Sequence, residues 1–355
     1  MKTVKNRVGS KKRLFLIIAI PIIFFLYCCA WFAVSQWSYY KIQDFLSSSE
    51  NKYIKYNPDS FIRSGFPFRV EWQIEAVTAS VPYLDGQIEC ISKDIIMGMS
   101  ILESHRIDAT AKNASFLFYD KSDSVKWKSD LGNASFVIIA DTTGATSATY
   151  EVKNAVISYR TTDYTDDKWK TLANIQTIKG QFNQIKPIDP NSTKILRQID
   201  FVSSNIVLNT EKARYPKSSS KILVSLSIIG DFGVARLEDL VEWRDEGGII
   251  EIENAKLSWP PINIELSGTL ALDQELKPIG AGSILVSGSD QIIDQQVSNG
   301  SLKKSEAEFL KLSLKLLPLK TNTNGVSSIQ IPITAQNGKL RFGPFVVAKL
   351  SSLFR

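Results

Sequence analysis

One apolar segment close to the N-terminus constrains this chain more than any other feature. Residues 14–34 read LFLIIAIPIIFFLYCCAWFAV and carry no charge. As a helix this segment spans roughly 32 Å, which matches the hydrocarbon core of a bilayer. Pro21 is compatible with it, because transmembrane helices tolerate proline. No later segment of that length is free of charge, so the sequence predicts one transmembrane helix over residues 14–34.

The charges around this segment predict its orientation. Residues 1–13 contain six basic residues and no acidic one, and the positive-inside rule places such a tail in the cytoplasm. Residues 35–355 then lie on the far side of the membrane. The chain has 42 basic and 36 acidic residues, so the body without its tail is neutral and we expect no nucleic-acid partner. Aromatic residues suited to the bilayer interface follow the apolar core: Trp31, Trp37, Tyr39 and Tyr40.

A cleaved signal peptide is the alternative for this segment. Its apolar core would be about 7–15 residues long and would end in small residues. Here the run is longer and ends near the bulky Trp31 and Trp37, so an uncleaved anchor is favoured. A lipoprotein site at Cys28 or Cys29 would need small residues where Leu26 and Tyr27 stand.

The body reads as a series of half-buried strands. In residues 66–76 and 264–272 apolar residues alternate with polar ones, which is typical of antiparallel strands with one buried face. Asn337-Gly338 is the preferred pair for a two-residue hairpin turn, and it would pair Ala335 with Leu340. We therefore predict a mainly β fold: one transmembrane helix followed by a long antiparallel, curved sheet, meander-like or groove-like, with few short helices.

Three short helices are predicted, over residues 237–243, 289–297 and 305–317. The last would begin with a capping box between Ser305 and Glu308 and end before Pro318. A repeated Asn-Ala pair, which begins with Asn113-Ala114, predicts turn-then-strand units of about 20 residues or is a chance recurrence. Two prolines in residues 186–194 leave a domain boundary near residue 190 open. The recurrences of the pair are at Asn133, Asn154 and Asn254.

Three stretches together resemble one bacterial family. They are SGFPFR at residues 64–69, GTLALD at residues 268–273 and NGKLRFGP at residues 337–344. Their order and spacing resemble the envelope family known as domain of unknown function 2125, found chiefly in alphaproteobacteria. The chain departs from that family where a proline-rich tail often follows, because residues 348–352 read AKLSS.

The resemblance implies an inner-membrane protein with its N-terminus in the cytoplasm and its body in the periplasm, and it implies no activity. The chain is also distantly similar in architecture to AsmA-like envelope proteins. Those proteins combine an N-terminal anchor with long β-meanders that curl into lipid-holding grooves. This second likeness concerns architecture alone.

Catalytic and metal-binding patterns are absent from the sequence. His105 is the one histidine and has no nucleophile motif around it. Cys90 has no partner cysteine or cationic neighbour to activate it, and we expect no structural disulfide. We therefore predict a non-enzyme without cofactor or metal, although carboxylates brought together by folding would be invisible here.

The most informative local feature is the stretch that begins the first strand. Phe66 and Phe68 would share a face with Trp72, with Arg69 on the opposite face or rim. These four residues are the candidate ligand-binding site, at the mouth of an apolar groove near the membrane. The first hypothesis is a membrane-tethered protein that binds phospholipid or another apolar ligand in envelope maintenance. The alternative is a scaffold that recruits an envelope protein partner; both include the bilayer as partner through residues 14–34.

Overall fold

The protein consists of a long N-terminal helix and a single extended sheet. In the computed structural model α1 (Val8–Ser47) is a 40-residue helix. Within it, Ala19–Asp44 is long and apolar enough to cross a membrane, and an 18-residue stretch of it has a mean hydropathy of 1.8. The expectation of one such N-terminal helix is thereby confirmed for the described part of the chain. The structure describes residues 8–47, 54–83, 86–103, 105–119, 125–141, 144–160, 169–185, 196–209, 220–230, 237–321 and 327–352; the open boundary near residue 190 lies outside them.

The described strands form one 17-stranded sheet in which every pairing is antiparallel. The strands are β1 (Ile54–Lys55), β2 (Ile62–Ser64), β3 (Arg69–Tyr83), β4 (Gly86–Ser100), β5 (Arg106–Tyr119), β6 (Val125–Asp141), β7 (Gly144–Arg160), β8 (Trp169–Ile185), β9 (Leu196–Leu208), β10 (Ser220–Ile229), β11 (Ile249–Trp259), β12 (Ile262–Leu272), β13 (Pro278–Ser287), β14 (Leu319–Thr321), β15 (Ser327–Gln336), β16 (Lys339–Phe342) and β17 (Phe345–Lys349). From β3 to β13 each strand pairs with the next, and β13 pairs with β15. The prediction of a mainly β, antiparallel fold is confirmed.

The predicted hairpin near the C-terminus is confirmed. β15 pairs with β16 so that Ala335 lies opposite Leu340 and Ile333 lies opposite Phe342. Asn337 and Gly338 both have left-handed backbone angles, with φ of 53° and 64°, as a type I′ turn requires. Asparagine and glycine tolerate that conformation better than other residues, which is why this dipeptide marks the turn.

The three short helices form where predicted, with small shifts at their ends. They are α2 (Leu237–Asp245), α3 (Ser289–Ser298) and α4 (Lys304–Lys315). The predicted capping box at Ser305 and Glu308 is wrong. Because α4 begins at Lys304, the third helical residue is Glu306, and its carboxylate accepts the backbone N–H of Lys303 at 3.0 Å.

A row of backbone irregularities crosses the long strands. Ala76, Asn113, Asn154 and Asn205 lie in alternate strands of the β3–β9 region and have φ between 52° and 57°. A left-handed residue reverses the alternation of a strand, so the residues two before and one after it point to the same side. Ala111 and Ala114, Val152 and Ala155, and Ser203 and Ile206 are such pairs, and all six are buried.

This row overturns the prediction drawn from the repeated Asn-Ala pair. Asn113 and Asn154 lie inside β5 and β7, at bends rather than at the turns between strands. Asparagine suits both places, because its short polar side chain tolerates the left-handed conformation. At Asn113 and Asn154 the repeat therefore marks a bend in a strand, and a sequence pattern cannot separate a bend from a turn.

The largest core cluster follows the bend and is built from one sheet. Its members come from β5 to β9, and five of the nine are alanines. Small side chains let the two halves of the bent sheet approach each other. Residues on one face of the sheet are therefore buried against other residues of the same sheet, without a second layer. The chain exposes 23861 Å², against about 14,000 Å² for a folded monomer of this mass. An uncovered sheet and a projecting helix account for such an excess.

Candidate functional site

One face of the sheet is apolar from strand to strand. Directly paired residues point to the same side of an antiparallel sheet, so a row can be followed across the pairings from β3 to β15. Every side chain in this row is aliphatic or aromatic, apart from one glycine. We call this side of the sheet the groove face. Its central row is Trp72, Met97, Ala109, Phe136, Tyr150, Gly180, Phe201, Val224, Ala255, Leu266, Ile284 and Ile331.

The opposite face carries mostly polar side chains at the neighbouring positions, with Gly98 and Val137 as the exceptions. The matching row one residue along from β3 to β11 is Glu71, Gly98, Asp108, Val137, Thr149, Gln181, Asp200, Ser225 and Asn254. The contrast between the rows is what period-two alternation predicts for a sheet with one wet face. Phe136, in the middle of the groove face, nevertheless keeps 37% of its surface exposed. The groove face is therefore apolar but not fully covered at its middle.

A cavity of about 240 Å³ lies on the groove face in the C-terminal third. It is larger than the ~150 Å³ dry cavities that accept benzene in other proteins. Gly268 and Gly282, which pair directly, lie at its centre. The side chains that surround them are apolar: Ile252, Leu266, Leu270, Ile284, Ile333, Ala335, Leu340 and Phe342.

The cavity needs glycine at its centre because the strands approach closely there. A Cβ atom on Gly282 would lie 2.4 Å from the carbonyl oxygen of Ser267, and one on Gly268 would lie 2.6 Å from that of Ala281. Both distances are far below van der Waals contact, and the obstructing atoms are backbone. The glycines therefore permit a close approach of β12 and β13 and leave the space above them empty.

Helix α2 covers the groove face at the end of β9–β12. Trp243 is 1% exposed and packs with Leu240 against Ile228. Its indole Nε1 donates to the carbonyl oxygen of Ile229 at 2.9 Å. This end of the groove face is thus closed by a helix. Partly buried residues that complete the contact are Ile199, Ile250 and Leu272.

The outer half of α1 covers the groove face at the end of β3 and β4. Val70, Trp72 and Met99 form a second buried cluster there. The helix residues that pack on it include Trp31 and Val34, at the end of the predicted transmembrane segment. The groove face therefore begins directly beside the candidate membrane helix.

Polar contacts hold α1 to the chain that leads into β3. The Tyr27 hydroxyl donates to the carbonyl oxygen of Pro67 at 2.5 Å, and Trp31 Nε1 donates to that of Arg69 at 2.7 Å. One turn further out, Arg63 donates to Gln36 Oε1 at 2.9 Å. The helix is thus hydrogen-bonded over several turns to the chain that leads into the sheet. These contacts define the position of the helix relative to β3.

The four sequence-predicted site residues do not form one cluster. Trp72 lies in the buried cluster under α1, as the alternation predicted. The expectation that Phe66 and Phe68 continue its strand face is wrong, because β3 begins at Arg69 and a turn precedes it. That turn is closed by the backbone N–H of Arg69, which donates to the carbonyl oxygen of Gly65 at 2.9 Å. Phe66 packs edge-on against Trp31, with ring centroids 5.2 Å apart, whereas Phe68 is exposed.

Arg69 lies on the face opposite the groove and is bound to acidic neighbours. Its Nη2 donates to Asp108 Oδ2 at 3.0 Å, and Arg106 Nε donates to Asp108 Oδ1 at 3.1 Å. The Nε atom of Arg69 lies 3.3 Å from Glu71 Oε1, but the two are not aligned for a hydrogen bond. Partial burial acts to raise the pKa of Asp108, but hydrogen bonds and charge from Arg106 and Arg69 outweigh it and the pKa is lowered.

Glu151, Cys90 and His105 lie in three different settings. Glu151, on the face opposite the groove, is held between Lys179 at 3.0 Å and Lys153 at 3.7 Å, and these cations lower its pKa. Burial raises the pKa of the Cys90 thiol, which keeps it protonated and weakly nucleophilic. His105 is exposed at the start of β5. Among the described residues, no three His, Cys, Asp or Glu side chains lie together as metal ligands.

Two parts of the groove face were missed by the sequence reasoning. No sequence-based prediction corresponds to the Gly268–Gly282 cavity. Trp243 and α2 were predicted as a helix but not as a cover. Both features depend on how residues pair across strands. The register between strands that are distant in the sequence cannot be predicted from a single sequence.

The comparisons with known proteins give one match. A family model described as "Uncharacterized protein conserved in bacteria (DUF2125)" matches residues 59–351. No curated protein and no solved structure matches the chain.

Proposed function

Because the chain belongs to DUF2125, a family whose description names no activity, we propose a function from its own geometry. The protein is a membrane-anchored binder of acyl chains, and the groove face holds the hydrocarbon. The observation that carries this proposal is the unbroken apolar row from Trp72 to Ile331. A face of that extent is costly to leave in water and calls for an apolar occupant.

The chemistry of the groove favours hydrocarbon over a polar ligand. Ser267 and Thr269 contribute to the lining of the Gly268–Gly282 cavity, but the surface that the cavity exposes is apolar. The binding free energy of a ligand there would therefore come from removing apolar surface from water. The charged residues near the start of the sheet lie on the other face. A phospholipid would therefore place its acyl chains on the groove face and its headgroup outside it.

The position of the groove face beside α1 supports the same proposal. Trp72 and Met99 lie under the outer half of the helix, so a chain that leaves the bilayer meets apolar side chains without crossing water. The basic tail of residues 1–13 supports an N-terminus in the cytoplasm, and the proposal puts the body in the periplasm of a bacterial inner membrane. Alkaline phosphatase fused to the C-terminus should then be active, whereas a fusion within the tail should be inactive.

Photocrosslinking tests the binding site directly. The full chain is reconstituted in vesicles that contain a phospholipid with a diazirine on its acyl chain, irradiated and digested. We expect modified residues in α1 and on the groove face, at Phe136, Tyr150 and Ile284. Modification of α1 alone, with the groove face unmodified, would contradict the proposal.

A second candidate function, a scaffold for a protein partner, is favoured by one observation. Phe309, Leu312 and Leu316 lie along the outward side of α4 and are 70%, 63% and 82% exposed. The spacing i, i+3, i+7 makes them one apolar stripe. The double substitution Leu312→Asp and Leu316→Asp should abolish a stoichiometric crosslinked partner in membranes and leave lipid binding intact if this function holds. An unchanged crosslinking pattern would exclude the stripe as the partner site.

A further inference from the structure

Two apolar side chains project from the end of the sheet that lies beside α1. Phe68 is 76% exposed in the turn before β3, and Leu102 is 88% exposed in the turn after β4. Arg69 and Ser100 are the last paired residues of these strands, so the two turns leave the sheet side by side. Large apolar side chains at neighbouring loop tips indicate a surface that is covered by something apolar.

The contacts with α1 place the first of these turns at a defined level along the helix. Tyr27 contacts Pro67 and Trp31 contacts Arg69. Tyr27 lies seven residues before Val34, the end of the uncharged run, and Trp31 lies three before it. At about 1.5 Å per residue, the turn lies roughly 5–10 Å inside the outer end of that run.

We infer that the Phe68 and Leu102 turns insert into the outer interface of the bilayer that α1 crosses. A depth of roughly 5–10 Å is the one at which interfacial apolar side chains settle. Aromatic side chains favour that zone, and Phe66 packs on Trp31 just beside Phe68. The sheet thus has a second membrane contact beyond the helix, which holds the start of the groove face against the lipid.

The inference rests on α1 as a membrane span and does not depend on lipid binding by the groove face. The bilayer is favoured over a protein partner because the turn is bound to the helix itself. Whatever surrounds the helix at the level of Tyr27 and Trp31 also surrounds the turn. Two charged neighbours of the turns, Arg69 and Arg106, pair with Asp108 on the strands. Glu103, which is exposed beside Leu102, stays at the level of the headgroups in this arrangement.

Cysteine accessibility in reconstituted full-length protein tests this contact. The native Cys28, Cys29 and Cys90 are replaced by alanine, and single cysteines are introduced by Phe68→Cys and Leu102→Cys. The matched control is Glu75→Cys, which is exposed on the same strand β3, further from α1 and on the face opposite the groove. A charged, membrane-impermeant maleimide is applied to vesicles and its rate is normalised to the rate after denaturation in dodecyl sulfate.

The expected result is labelling at least tenfold slower at residues 68 and 102 than at residue 75. Rates within twofold of the control would overturn the inference. Protection that disappears when the protein is diluted tenfold in lipid would also overturn it, because a second copy would then be the cover. If Phe68→Cys fails to fold, Leu102→Cys decides the test. A bimane at residue 102 should also be quenched by lipids spin-labelled near the headgroup.

Discussion

The indole of Trp31 donates a hydrogen bond to the main-chain carbonyl of Arg69, across 2.7 Å, and so joins the anchor helix to the first residue of the first long strand. The contact lies at the edge of the buried cluster of Val70, Trp72 and Met99. This contact fixes the position of the apolar helix α1 relative to the first long strand of the sheet.

Loss of this bond should loosen the junction. Trp31→Phe keeps an aromatic ring but leaves the Arg69 carbonyl without its donor, so the free energy of unfolding should fall by about 1–2 kcal/mol. Urea denaturation of the full chain in detergent measures it. Trp37→Phe is the matched control, because Trp37 is exposed on the same helix. Equal effects of the two substitutions would contradict the role given to Trp31.

Gly180 and Tyr150 form a pair that permits no extra atom. The two residues lie directly opposite each other on β8 and β7, and a Cβ at residue 180 would lie 2.3 Å from the tyrosine ring. Gly180→Ala should therefore destabilise the protein by about 1–3 kcal/mol, as overpacking does. In a Tyr150→Ala background the same substitution should cost almost nothing. A cost that persists there would show that the ring is not the obstacle.

Asn154 tests the bend in the sheet. Its φ of 57° is costly for residues with a branched Cβ, so Asn154→Val should destabilise by about 1–2 kcal/mol. Asn154→Gly should stay within about 0.5 kcal/mol of wild type, because glycine adopts this conformation freely. Thermal melting of both variants compares them. If valine were tolerated as well as glycine, the bend would not depend on a left-handed residue at this position.

Asp108 predicts a dependence of stability on pH. Its folded pKa is lowered by Arg106 and Arg69, so its contribution is present above the unfolded pKa of about 3.9 and is lost as the pH falls through the folded value. Its side chain is 29% exposed, so Asp108→Asn should cost about 1 kcal/mol or less at pH 7. The difference in the free energy of unfolding between Asp108→Asn and wild type should shrink as the pH falls from about 5 to about 3. A difference that grows on acidification would contradict this sign.

Local features of the fold were predictable because their physical causes lie within a few residues. Asn337-Gly338 predicts a hairpin, because few other residues adopt the left-handed backbone angles that its turn requires. The helix over residues 305–317 is signalled by its apolar spacing and Pro318. The N-terminal helix follows from uncharged length alone.

Features that depend on distant pairing were not predictable. Asn113 and Asn154 signal a left-handed residue equally well at a turn or at a bend, and only the strand register distinguishes the two. Phe68 continues the alternation of β3 in sequence, yet the turn closed by Gly65 and Arg69 removes it from the strand. The cavity at Gly268 and Gly282 arises from two strands whose approach no local pattern encodes.

The most direct test of the account is the amount of lipid bound to matched variants of one strand. Ile284 lies on the groove face at the cavity, and Leu285, the next residue of β13, points to the other face. Full-length wild type, Ile284→Asp and Leu285→Asp are purified in mild detergent and compared by native mass spectrometry, with circular dichroism to confirm that each is folded. The account predicts bound phospholipid on wild type and on Leu285→Asp, and at least a fivefold loss on Ile284→Asp. Lipid absent from all three, or present equally on both variants, would contradict the groove face as an acyl-chain site.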